Sequence, residues 1–152
     1  MNDLQRVKLG FELRATEESW PPVNAEWLWF ESERPFESAR YRLVSVPWFV
    51  SGMALGDTIE AIVDEASRVE RWSVAERSGS DLIWILKHEL ELWAEIDDLC
   101  DLGCLAENYQ NFHFAVSVPA SVETPRIDEI LERIEIKQGQ IAFPVWQREL
   151  VS

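Results

Sequence analysis

The 152-residue chain is short of the groups that carry chemistry, with two histidines, two cysteines and six glycines. No Walker loop, dinucleotide fingerprint or His-Glu-x-x-His motif occurs. His88 and His113 fall on separate segments, and neither neighbours a Ser or Cys in an elbow-type turn, so nucleophilic catalysis has no starting constellation. His113 alternates with Phe112 and Phe114, which turns it from the face they bury and makes it a solvent-side or helix-covered imidazole rather than a general base. Cys100 and Cys104 bracket what reads as a helix end, and no second cysteine pair or nearby histidine completes a four-ligand zinc set. Three intervening residues at a helix finish, where the dipole disfavours a thiolate, do not make a redox site either. Cys100 is therefore expected in the core, and Cys104 as a buried residue leading into the next strand. No metal and no cofactor are expected.

Positive charge is also scarce. Fourteen Lys and Arg stand against 28 Asp and Glu, for a net charge of -14 and a pI near 4.5. Both halves of the chain are acidic, so the field has the wrong sign for a polyanion and nucleic acid is an unexpected partner. Carboxylate pairs are so common here that they say nothing about acid–base catalysis. No apolar run approaches the roughly 20 residues of a membrane-spanning helix, and the opening MNDLQRVKLGF lacks the apolar segment and cleavage site of a secretory signal. The expectation is a cytoplasmic protein with no membrane association. With no repeat, low-complexity tract or long linker, residues 1–152 read as a single domain with a β-rich half (1–79) and an α/β half (80–152).

What is present is clear periodicity. Val7–Leu13 alternates apolar and other residues as a half-buried strand does. Glu26–Phe30 reads as a strand apolar on both faces, and Arg40–Val46, Asp57–Val63 and Val69–Arg77 extend a meander or small barrel. In the second half Leu82–Leu86 is a wholly apolar strand, and Leu92, Trp93, Ile96, Leu99 and Cys100 repeat at helical spacing over Glu89–Leu102, with Gly103 as a left-handed cap. Phe112–Val118 alternates again. Thr124 and Pro125 start a helix whose stripe is Ile127, Ile130, Leu131 and Ile134, and Gly139 closes it. Ile141–Trp146 contains Pro144, which predicts an edge strand. The expected fold is α+β: an antiparallel N-terminal meander or small barrel packed with a C-terminal ferredoxin-like β-α-β-α-β layer.

One segment departs from plain strand logic. Pro47, Trp48, Phe49, Gly52, Gly56 and Asp57 crowd a dozen residues, predicting a shaped loop. Gly52 and Gly56 permit backbone angles closed to other residues, and Asp57 can bond nearby amides. The loop is either an aromatic corner that plugs the barrel or a ligand site. The stretch VPWFVSGMALGD resembles the VPFF-x-x-G-x-x-x-GD signature of an uncharacterised bacterial family of unknown function, with Trp48 in place of the usual phenylalanine. Glu26-Trp27-Leu28-Trp29 resembles that family's upstream ES-x-W strand, and Leu102-Gly103-Cys104 is similar to its LGC element. The resemblance spans most of the chain and brings no catalytic residues. Small bacterial proteins of this kind are similar to immunity proteins that neutralise toxins, and the resemblance implies that role by analogy.

The acidic helix is the remaining lead. From Glu89 to Glu107 there are seven carboxylates and no Lys or Arg. Glu91, Glu95 and Asp98 recur at i, i+4, i+7 with Asp101 beside them, an arrangement that repels itself by about 0.2–0.5 kcal/mol per neighbouring pair. A solvated face normally mixes signs, so the stripe reads either as a surface for a cationic partner or as an unusually one-signed solvated face. Most of the eight tryptophans fall where the pattern buries them, leaving Trp20 and Trp146 as weak interface candidates. The functional expectation is a non-enzymatic immunity or antitoxin protein that blocks a basic toxin, such as a nuclease, with Glu91, Glu95, Asp98 and Asp101. The rival is a small-ligand or enzymatic domain using the Pro47–Asp57 loop.

Overall fold

Period-2 alternation and helical periodicity divide the protein where the sequence changes character. The computed structural model describes residues 4–14, 20–86 and 91–148, and the chain forms two compact units, Met1–Ser78 and Gly79–Ser152. The architecture is α+β, with mostly antiparallel sheet and two helices among the described residues.

The first unit is a meander of five antiparallel strands in chain order: β1 (Gln5–Glu12), β2 (Ala25–Ser32), β3 (Arg40–Leu43), β4 (Thr58–Val63) and β5 (Val69–Glu76). Inward positions Leu9, Phe11, Leu28, Phe30, Tyr41, Leu43, Ile59 and Ala61 share one core with Val50 and Met53 of the β3–β4 loop. Each such large side chain contributes on the order of 1.5–3 kcal/mol on burial. Against β4, the register of β5 slips twice, with Glu70 and Ala75 as the extra residues. Such bulges bend a strand and increase its twist. The sheet therefore curls until Gly10 meets Arg68 in a parallel bridge, the Gly10 amide donating to the Ser67 carbonyl at 2.9 Å. The ring of Trp27 fits over Gly10, where a Cβ would come within 2.8 Å of it.

Strand β2 corrects one expectation. It is apolar on both faces in sequence but not buried on both: Trp27 and Trp29 are 41% and 44% exposed, whereas Glu26 is 5% exposed. Trp93 is exposed as well, so the tryptophans are less uniformly buried than their pattern suggests.

The second unit contains β6 (Asp81–Leu86), α1 (Trp93–Asp101), β7 (Leu105–Tyr109), β8 (His113–Val118), α2 (Thr124–Ile136) and β9 (Gln140–Val145). Its sheet order is β7-β8-β6-β9, antiparallel throughout, with the Pro144 strand at an edge as predicted. The chain order is thus β-α-β-β-α-β rather than the expected β-α-β-α-β, the added strand being β7, whose LAENY is short, polar and mostly exposed. Helix α1 ends where predicted. Gly103 takes φ 110°, its amide donates to the Cys100 carbonyl, and the Cys104 amide donates to the Leu99 carbonyl, a complete Schellman cap. The predicted helix start at Glu89 lies outside the described residues. Helix α2 differs at both ends. Glu123 holds the N-cap position, with Thr124 and Pro125 inside the first turn. At the other end Gln138 adopts the left-handed conformation and Gly139 follows it. Gly139 is required for space, since a Cβ there would lie 2.6 Å from Ile134 Cγ2. Both helices bury their stripes against Ile83, Ile85, Phe114, Val116 and Val118.

Candidate functional site

The predicted acidic stripe is only partly a surface. Glu95 sits in the first turn of α1 and is buried, 3% exposed, with Oε1 2.5 Å from Lys137 Nζ at the end of α2. The hydrogen bond from Lys137 holds the Glu95 carboxyl below the ordinary glutamate value. One turn on, Asp98 pairs with Arg133 at 2.8 Å. Lys137 also donates to the Glu91 carbonyl. The i, i+4, i+7 spacing that suggested a continuous docking surface therefore turns its middle members toward α2, because the basic residues of α2 come round at matching helical intervals. Glu91 and Asp101 are exposed, as is Asp97. On α2, Asp128, Glu129, Glu132 and Glu135 are exposed too, with Arg126 the one basic residue of the helix outside these ion pairs among the described residues. Beyond the two ion pairs, the helices carry six exposed carboxylates, with Glu91 just before α1 as a seventh, and that single arginine.

The Pro47–Asp57 loop is organised by two carboxylates at its ends. Glu26, pointing inward from β2, accepts the amides of Trp48 at 2.7 Å and of Phe49 and Val50 at 2.9 Å each. Burial pushes its carboxyl above the ordinary value, while the three amide bonds oppose that rise. Asp57 is fully buried and accepts the amides of Ala54 at 2.9 Å and Ser78 at 2.8 Å, together with Arg77 Nη1 at 3.0 Å. Arg77 also donates to the Gly52 carbonyl. Gly52 and Gly56 take φ of 94° and 88°, the left-handed region that favours glycine. Pro47, Phe49, Val50, Met53 and Ala54 are buried, and Trp48 is half-buried. Trp20 meets Phe49 edge-on with ring centroids 5.4 Å apart. The sequence identified the loop and Asp57, but it missed Glu26 as the loop's main acceptor. A lone acidic residue on the inward parity of a strand was the available signal.

A second buried carboxylate node lies in the other unit. Asp81 opens β6 and accepts the Gln147 amide at 2.7 Å and Arg148 Nε at 2.6 Å. The same guanidinium donates to the Val122 and Pro119 carbonyls and lies over the Trp146 ring, 5.4 Å from its centroid. Trp146 is half-buried against Phe143. These groups tie the C-terminal segment to the loop preceding α2.

The remaining chemistry-bearing residues do not converge. His113 is fully buried on the side of β8 opposite Phe114, edge-on to Trp84, and not on a solvent side. Cys104 is buried, and desolvation pushes its thiol up to about 11, which leaves it inert. Cys100, expected in the core, is exposed, because its position on α1 falls just beyond the Leu92–Ile96–Leu99 stripe. Among the described residues no group of three His, Cys, Asp or Glu is arranged to hold a metal ion, and no helix is long and apolar enough to cross a membrane.

No curated protein matches the chain. Its fold is similar to that of a solved structure described as "Novel crystal structure of a hypothetical protein from Neisseria gonorrhoeae", with a TM-score of 0.70 at 13% identity, covering 93% of this chain and 95% of that one. At that identity the likeness concerns the fold alone. The family described as "Domain of unknown function (DUF4265)" matches residues 26–143, which takes in the Glu26 carboxylate, the loop it holds and both helices; the chain belongs to that family.

Proposed function

We propose that this is a non-enzymatic binding protein whose two-helix face captures a basic protein, in the manner of an immunity protein covering the cationic cleft of a toxin such as a nuclease. The observation that carries this reading is the residual charge of α1 and α2. Glu91, Asp97, Asp101, Asp128, Glu129, Glu132 and Glu135 are exposed with Arg126 alone beside them, after Glu95 and Asp98 have been taken up by Lys137 and Arg133. The binding set is therefore revised from the sequence-derived stripe. Glu91 and Asp101 remain in it, while Glu95 and Asp98 serve to hold α1 on α2. The strand order β7-β8-β6-β9 is compatible with a ferredoxin-like layer, and the two ion pairs that hold α1 on α2 support a face that needs little ordering when it binds. An anionic rigid face favours fast, salt-sensitive association with a cationic cleft. The Pro47–Asp57 loop supports the rival ligand-site reading less well, because Glu26 and Asp57 occupy its amides and its apolar side chains are buried. The test is to neutralise Asp97, Asp101, Asp128 and Glu132 together and measure capture of a basic partner. Loss of capture with an unchanged circular dichroism spectrum is the expected result, and undiminished capture sinks the proposal.

A further inference from the structure

The first unit has a gap in its barrel, and the gap has the chemistry of a strand-binding site. Beyond the bridge between Gly10 and Arg68 no ladder joins β1 to β5 among the described residues, and a cavity of about 510 Å³ opens there. Its walls are both strand edges, Gly10–Leu13 and Arg68–Glu70, together with Asn24, Ala25, Asp64 and the ring of Trp27. Two features hold it open. The bulge at Glu70 bends β5 just after the bridge. The Trp27 ring stands over Gly10, where any larger residue would displace it.

The backbone around the gap is poised to pair. Leu13 donates to the carbonyl of Asn24, the residue just before β2, whereas Gly10 donates the opposite way, to Ser67. Strand alternation then directs the Glu12 N–H and C=O, like those of Gly10, away from β2 and into the gap. Because β1 and β5 run parallel, a strand inserted between them runs antiparallel to both and completes the barrel. The rim favours one sign of charge. Glu12, Asp64 and Glu70 stand against Arg68 alone, and the half-exposed Trp27 offers an apolar and cation-accepting wall.

We propose that this gap binds an extended segment of a protein with alternating basic and apolar side chains, which adds to β1 as a new strand. Main-chain bonds to Glu12 supply the docking, the carboxylate rim selects Lys or Arg, and the Trp27 wall receives the side chain next to it. This site lies on strands of the first unit, and the proposal does not depend on the helix face of the second.

The test uses the full chain with two peptides, acetyl-Lys-Val-Lys-Val-Lys-Val-amide and its Glu-Val counterpart. Amide hydrogen exchange is followed by NMR, and tryptophan fluorescence in parallel. At roughly ten times its Kd the basic peptide is expected to slow exchange of the Glu12 amide about tenfold and to shift Trp emission, while the acidic peptide does neither. Glu12→Pro removes the gap-facing N–H, which takes no part in the β1–β2 ladder, and should abolish the protection of neighbouring amides. Glu70→Lys should weaken binding without touching that N–H, which keeps the test open if the proline variant fails to fold. Absence of binding by the basic peptide overturns the proposal, as does equal binding of both peptides or binding unchanged in Glu70→Lys. Protection confined to α1 and α2 also overturns it, and that outcome would leave the helix-face reading standing.

Discussion

Removing the Glu26 carboxylate is the sharpest perturbation the fold offers. Glu26→Ala leaves the amides of Trp48, Phe49 and Val50 without their acceptor in a site where two of the three bonds are buried. Each stranded amide costs about 1–3 kcal/mol, partly offset because the cost of desolvating the carboxylate disappears and because water can reach the half-buried Trp48. The net expectation is a loss of about 4 kcal/mol. For a chain of this size, 1 kcal/mol moves Tm by about 2–4 °C, so the variant should melt on the order of 8–16 °C lower. Glu26→Gln keeps the shape and one carbonyl oxygen but turns its NH2 toward an amide donor, and should lose roughly half as much. The two variants also differ from wild type in pH dependence. Burial raises the folded-state value of Glu26, so the part of its stability linked to protonation is fully present below the unfolded value of 4.5 and is lost as pH rises through the raised one, while the amide bonds to the carboxylate remain. In Glu26→Gln that loss should vanish. Urea melts followed by Trp fluorescence, with hydrogen exchange at residues 48–50, measure all three effects. A Tm within about 2 °C of wild type, with exchange at those amides unchanged, would refute the claim that Glu26 organises the loop.

Other outcomes follow from the same geometry. Gly56→Val should cost about 1–3 kcal/mol, because φ is 88° there and a Cβ would meet Ser78 Cβ at 2.9 Å; a wild-type urea midpoint would show that the loop tolerates another conformation. Glu95 is held below its ordinary value by Lys137, so its contribution is present above pH 4.5 and is lost as pH falls through the lowered value; in Lys137→Met that part of the acid destabilisation should disappear from a Tm–pH series. Arg148→Met should cost about 3–5 kcal/mol, because it removes the cation from the buried Asp81, leaving it the Gln147 amide, and takes away a donor to the Val122 and Pro119 carbonyls; a drop in Tm under 3 °C would count against the node.

Much of the fold was legible because its signals are local. The stripe of α2, the Gly103 cap, the Pro144 edge strand and the glycines of the loop each follow from a few neighbouring residues. What escaped was set at long range. Strand β7 is polar because it lies at a sheet edge, and its LAENY carries no periodicity of its own. Glu26 shares the inward parity of Leu28 and Phe30, but its partners are amides of a loop some 22 residues later, which only folding brings to it. The acidic stripe misled for the same reason. Its internal repulsion was visible in α1, while the compensating Arg133 and Lys137 lie 35 and 42 residues further on, and only folding reveals that Glu95 and Asp98 answer them. The loop's character was legible and its anchoring was not.

Capture of a basic protein by the two-helix face is tested by the salt dependence of its association. A partner retained by the immobilised full chain is measured by surface plasmon resonance from about 50 to 500 mM salt, over which the Debye length falls from about 14 to about 4 Å. The expected result is a basic protein whose association rate drops steeply with salt while dissociation changes less, and whose binding to the chain neutralised at Asp97, Asp101, Asp128 and Glu132 is slow at every salt concentration. An association rate indifferent both to salt and to those four substitutions would contradict it.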